Sequence, residues 1–134
     1  MVQVQSEKIK DKISNKNSKL EVKYRAFYLS LNVIKYLDTI PYKSSTKIIQ
    51  DQLIRSVTSI GANIVEAKAS ASKREFINYF HIALKSANEV KYWLALLREL
   101  LADRLLIDGF ISEVNEISKI LGSSLLTMKG KRSL

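Results

Sequence analysis

The chain of 134 residues has no Cys, one His, one Pro and four Gly. Without Cys there is neither a disulfide framework nor a thiolate zinc site, and a single His rules out a multi-histidine metal centre. A sandwich or barrel needs a turn residue every ~8–12 positions, so four Gly and one Pro argue against both. No apolar run reaches the roughly 18 residues of a membrane span. The N-terminus also lacks the apolar stretch of about 7–15 residues that marks a secretory signal. The expectation is a soluble, cytoplasmic protein with no membrane partner.

Hydrophobic residues make up 46% of the chain and charged residues 26%. From Leu20 onward the hydrophobics recur in steps of four and three, the period of amphipathic helices. Leu20, Tyr24, Phe27, Leu31, Ile34 and Leu37 form a first seam, which ends before Pro41. Ser44 or Ser45 is placed to cap a second helix with the seam Ile49, Leu53, Val57, Ile60, Ile64 and Ala67. Ser72 and Glu75 have capping-box spacing ahead of a third seam, Phe76, Phe80, Ala83, Ala87, Val90, Leu94, Leu97 and Leu101. After a connection from Asp103 to Gly109, the residues Phe110, Val114, Ile117, Leu121 and Leu125 carry a fourth. This spacing predicts an all-α fold, an antiparallel up-down four-helix bundle over residues 21–128. Flexible basic tails are expected at 1–20 and 129–134.

On the third helix the apolar arc widens to about 200°, with Ile77 and Leu84 on one flank and Ile82, Trp93 and Leu100 on the other. An arc that broad exceeds what two bundle neighbours cover. Ile82, Trp93 and Leu100 are therefore the expected contact in a homo-oligomer.

Several chemistries are excluded. A bundle di-metal site needs Glu-x-x-His on two helices, whereas His81 is preceded at that spacing by Asn78. No carboxylate lies at i±3 or i±4 to orient His81 for nucleophilic catalysis, and no glycine cluster forms a phosphate loop. Neither an enzyme nor a cofactor or metal is expected.

Charge is the informative property: 22 Lys and Arg against 13 Asp and Glu, net +9 and an isoelectric point near 9.8. Arg74, Asn78, His81, Lys85, Asn88 and Tyr92 form a polar stripe opposite the third seam. Cations, amides and a ring along one helix suit a phosphate backbone with sequence-tolerant stacking. Arg55, Lys68, Lys73, Arg74, His81, Lys85 and Lys91 are the candidate nucleic-acid contacts, with Lys129, Lys131 and Arg132 in the tail; RNA is favoured over DNA. A structural polar network is expected from Ser59, Asn63, Glu66, Ser72, Glu75, Ser86 and Glu89, hydrogen-bonding the second helix to the third.

Read in order, Arg55-Ser56, Ser59-Ile60, Asn63-Ile64, Glu66, Ser72, Glu75-Phe76, Ile82-Ala83 and Ser86-Ala87-Asn88-Glu89 resemble a bacterial family signature. The family is that of the four-helix-bundle proteins of 23S rRNA intervening sequences, related to the accessory variability determinant of diversity-generating retroelements. The resemblance implies an up-down bundle, a ring of five subunits and no catalytic site. For the retroelement branch it implies a basic surface engaging RNA and a partner reverse transcriptase. The sequence departs from the common pattern after Glu66: the usual Gly is Ala67, the next aromatic is Lys68, and a basic pair is Ser70-Ala71.

Overall fold

The computed structural model describes residues 20–130. The expected tails therefore lie outside the described residues except for Leu20, Lys129 and Gly130, and Lys131 and Arg132 lie outside them too. Four helices follow one another: α1 Val22–Leu37, α2 Ser44–Ala69, α3 Lys73–Leu100 and α4 Arg104–Met128. Among the described residues there is no strand. Each helix packs on its predecessor and α4 closes back on α1, which makes an up-down four-helix bundle.

The seams of α2, α3 and α4 face the core: Leu53, Val57, Ile60 and Ile64 meet Phe80, Ala83, Val90 and Leu97, with Phe110, Val114, Ile117 and Leu121 closing the third side. Burying each large side chain of this set contributes about 1.5–3 kcal/mol. The helix ends differ in part from the sequence reading. α2 is capped by the extended backbone of Lys43 with no side-chain bond, so neither Ser44 nor Ser45 serves as the cap. α4 begins at Arg104, so Gly109 is a helical residue and the α3–α4 connection is only Leu101 to Asp103. α2 stops at Ser70, whose backbone is extended.

The first helix corrects the seam read from its sequence. The buried residues of α1 are Arg25, Ala26, Leu29, Val33, Tyr36 and Leu37, whereas Tyr24 and Phe27 are 47% and 57% exposed. Two contacts select this face. Ala26 lies against Gly61, where a methyl built on the glycine would sit 3.6 Å from the Ala26 Cβ. Arg25 meets Glu113 of α4 in a buried two-pronged ion pair, Nη2 to Oε1 at 2.6 Å and Nε to Oε2 at 3.1 Å. The Glu113 hydrogen bond raises the Arg25 pKa further above its ordinary value, so the guanidinium stays charged. At the other end of α1 the Tyr36 hydroxyl donates to Asp103 at 3.0 Å. Burial and that carboxylate push the phenol above its usual range and keep it a neutral donor.

Replacing Arg25 by Ala leaves the buried Glu113 carboxylate without its guanidinium and should cost about 3–5 kcal/mol in urea denaturation. The double change Arg25→Met with Glu113→Leu should recover most of that loss. Gly61→Ala should instead stabilise by about 0.5–1 kcal/mol in the same assay, because helix propensity improves and the added methyl makes an ordinary contact.

Candidate nucleic-acid interface

An even number of antiparallel helices brings the start of α1, the α2–α3 turn and the end of α4 to one pole of the bundle. Val22, Lys68, Phe76 and Met128, one from each helix, line a common groove there. Both segments beyond the described residues attach at this pole. The sequence before residue 20 holds Lys8, Lys10, Lys12, Lys16 and Lys19 against Glu7 and Asp11, and that after residue 130 holds Lys131 and Arg132.

The opposite pole is electrically balanced. Lys35, Lys43, Lys47, Arg98 and Arg104 stand with Asp38, Asp51, Glu99, Asp103 and Asp108, and several are directly paired: Lys47 with Asp51, Arg98 with Asp108 and Glu99, Arg104 with Glu99. At the first pole Lys68, Lys73, Arg74, Lys119 and Lys129 outnumber Glu66, Glu75 and Glu116. Of these cations only Lys119 has a carboxylate partner among the described residues, Glu116, at 3.5 Å and on the surface.

The candidate contacts divide between these regions. Lys68, Lys73, Arg74 and His81 gather at the cationic pole, and Lys129 Nζ lies 2.6 Å from His81 Nε2, joining the end of α4 to the stripe on α3. Lys85 is exposed one turn further along α3. Arg55 and Lys91 are not brought to the pole: Lys91 is ten residues beyond His81, or about 15 Å at 1.5 Å per residue, and Arg55 stands on the outer face of α2. Sequence reasoning missed Lys119, since an isolated lysine on α4 carries no signal until the fold places it on the same groove as Lys68.

The groove at this pole measures about 540 Å³ and is lined by Val22, Phe76, Phe80, Ile120 and Met128, with Lys68 and Lys119 at its rim and Ser123, Ser124 and Thr127 along α4. The Phe76 and Phe80 rings lie 4.5 Å apart, and Lys68 Nζ sits 5.7 Å from the Phe76 centroid.

The residues read as a polar network split three ways. Ser59 Oγ and Ser86 Oγ are 2.8 Å apart and join α2 to α3, while Asn63 Nδ2 donates to the Ser59 carbonyl at 2.8 Å and hydroxyl at 3.0 Å. Ser72 accepts from the Glu75 N–H at 3.1 Å, and Glu75 accepts in return from the Ala71 N–H at 3.3 Å, a local capping box rather than an interhelix link. Glu89 accepts from the Trp93 indole at 3.3 Å, and Glu66 is exposed.

Of the residues read as an oligomer contact, Ile82 and Leu100 are 38% and 57% exposed, whereas Trp93 is half-buried against the core. An exposed aromatic set stands on α1: Tyr24 and Phe27, which the sequence reading placed inside, and Tyr28 beside them. Among the described residues no group of three or more His, Asp or Glu side chains could hold a metal ion, and no helix is long and apolar enough to cross a membrane.

The architecture defines a class, that of small up-down four-helix bundles with one cationic pole. The sequence profile of the 23S rRNA-intervening sequence protein family matches residues 18–123. The chain therefore belongs to that family. It is similar to a crystal structure of a protein of unknown function from the S23 ribosomal protein family of Bacteroides thetaiotaomicron. The two share 34% identity and superpose with a TM-score of 0.73, covering 78% of this chain and 98% of that one. No curated protein matches the chain.

Ser59→Ala removes the partner of the buried Ser86 and one acceptor of the part-buried Asn63, and should cost about 1–2 kcal/mol by chemical denaturation. Adding Ser86→Ala should cost less than the sum of the two single changes, since each removes the same bond.

Proposed function

We propose that this protein is a non-enzymatic, homo-oligomeric accessory protein that holds RNA against its cationic pole. The observation that carries the reading is the one-sided charge. Lys68, Lys73, Arg74 and Lys129 lie at the end to which the two basic terminal segments are joined, and the cations of the other end are matched by carboxylates. Long-range attraction from such an end steers a polyanion and orients it, with no need for a reactive group. Arg74 and Lys85 continue the cationic surface along α3.

Self-association is part of the same proposal. Tyr24, Phe27 and Tyr28 on α1, and Ile82 and Leu100 on α3, are two separate apolar strips exposed on one protomer. Two different strips suit head-to-tail contacts that close into a ring, and five subunits is the number the resemblance suggests. The α1 aromatics also favour a second reading, an adaptor that docks a partner protein such as a reverse transcriptase with little direct affinity for RNA.

Salt separates the two readings. RNA affinity should fall with salt along a log–log slope near −0.7 per neutralised phosphate, and Arg74→Glu with Lys85→Glu should flatten that slope by about 1–2 while leaving the helical circular dichroism unchanged. An adaptor would show no RNA binding at low salt and would keep its protein partner at high salt. In light scattering, Phe27→Ser with Leu100→Ser should shift the mass toward the 15.3 kDa protomer.

A further inference from the structure

We infer that the groove at the cationic pole is a base-binding subsite for single-stranded nucleic acid: one unstacked base lies against Phe76, and its flanking phosphates are held by Lys68 and Lys119. This rests on the RNA-binding reading and adds the form of the ligand. The groove, at about 540 Å³, is an open surface cleft with room for a base. Its lining is mixed in the way a nucleotide requires, combining the Phe76 ring, the Lys68 and Lys119 cations and the Ser124 and Thr127 hydroxyls, groups of the kind that take base edges or a ribose 2′-OH.

The Phe76 ring is half-buried, and the group over it is Lys68 Nζ at 5.7 Å from the centroid. Lys68 is exposed and sits in the last turn of α2, so its ammonium can swing from the ring to a phosphate. A base then replaces a surface cation–π contact with a stack, which is the stronger of the two, and the cation gains a full counter-charge. Lys119 is similarly available, since its contact with Glu116 is 3.5 Å long and solvent-exposed.

Charge selects the occupant. The chain's own N-terminal segment enters beside Val22, but its five lysines would be set against two more at the rim. An acidic peptide without aromatic residues matches the charge yet has no flat face to offer Phe76. A single strand of RNA supplies both.

The test uses the full chain and fluorescence anisotropy with three labelled probes of equal charge: a single-stranded RNA of about 12 nucleotides, an abasic ribose-phosphate strand of that length, and a poly-glutamate peptide. The RNA should bind about ten-fold more tightly than the abasic strand. Phe76→Leu should erase that difference. Because Phe76 also packs on Phe80, Ser124→Leu serves as a second variant that crowds the groove without adding a ring and should erase the difference with the core intact. Lys68→Gln with Lys119→Gln should reduce the salt slope by about 1.4 for both strands. Equal binding of RNA and abasic strand overturns the base subsite while leaving the RNA reading in place, as does a base preference that survives Ser124→Leu. Peptide binding as tight as RNA binding overturns the subsite as well. Failure of both strands to bind at low salt overturns the subsite and the RNA reading together.

Discussion

The bundle depends most on how α1 is held, because α1 is the shortest helix and is apolar around most of its circumference. Greasy surface alone would let such a helix rotate or slide, since either face could be buried at similar gain. The Arg25–Glu113 pair removes that freedom. A guanidinium and a carboxylate withdrawn from water tolerate only the geometry in which each satisfies the other, so the pair fixes the rotation of α1 and its height against α4. Ala26 against Gly61 then sets how closely α1 approaches α2, and Tyr36 with Asp103 pins the far end. With α1 locked in this phase, Tyr24, Phe27 and Tyr28 are left outside.

That choice links packing to the proposed role. The polar contact that specifies the fold also determines which apolar surface remains for a neighbour, and the exposed aromatics of α1 are its by-product. The charge distribution follows from topology in the same way. Up-down connection of four helices returns the chain to its starting end, so two basic segments far apart in sequence attach at one pole, where the α2–α3 turn adds Lys68, Lys73 and Arg74. A five-helix bundle of the same composition would have placed them at opposite ends.

Much of the fold was legible because three of the four helices are amphipathic with one unambiguous face. In α2, α3 and α4 the four-three spacing of Leu53, Val57 and Ile60, of Phe80, Ala83 and Ala87, and of Phe110, Val114 and Ile117 identified the buried residues directly. The same rule misplaced the α1 seam. Size and hydrophobicity favoured Tyr24 and Phe27, whereas the burial of Ala26 and Arg25 depends on what α2 and α4 present opposite them. The capping box at Ser72 was readable because it is local; the start of α4 was not, since Asp103 caps without a side-chain bond. The groove was hidden because its lining comes from all four helices.

By itself the sequence determined the class: period-3.6 hydrophobicity, scarce turn residues and surplus lysine compel long helices that bury one edge and carry positive charge. Tertiary structure alone decided which face of α1 turns inward, that both basic terminal segments are joined at one pole, and that Lys68, Phe76 and Lys119 share a groove. Each of these depends on which residues of separate helices come into contact, and helical periodicity within a segment carries no information about its neighbours.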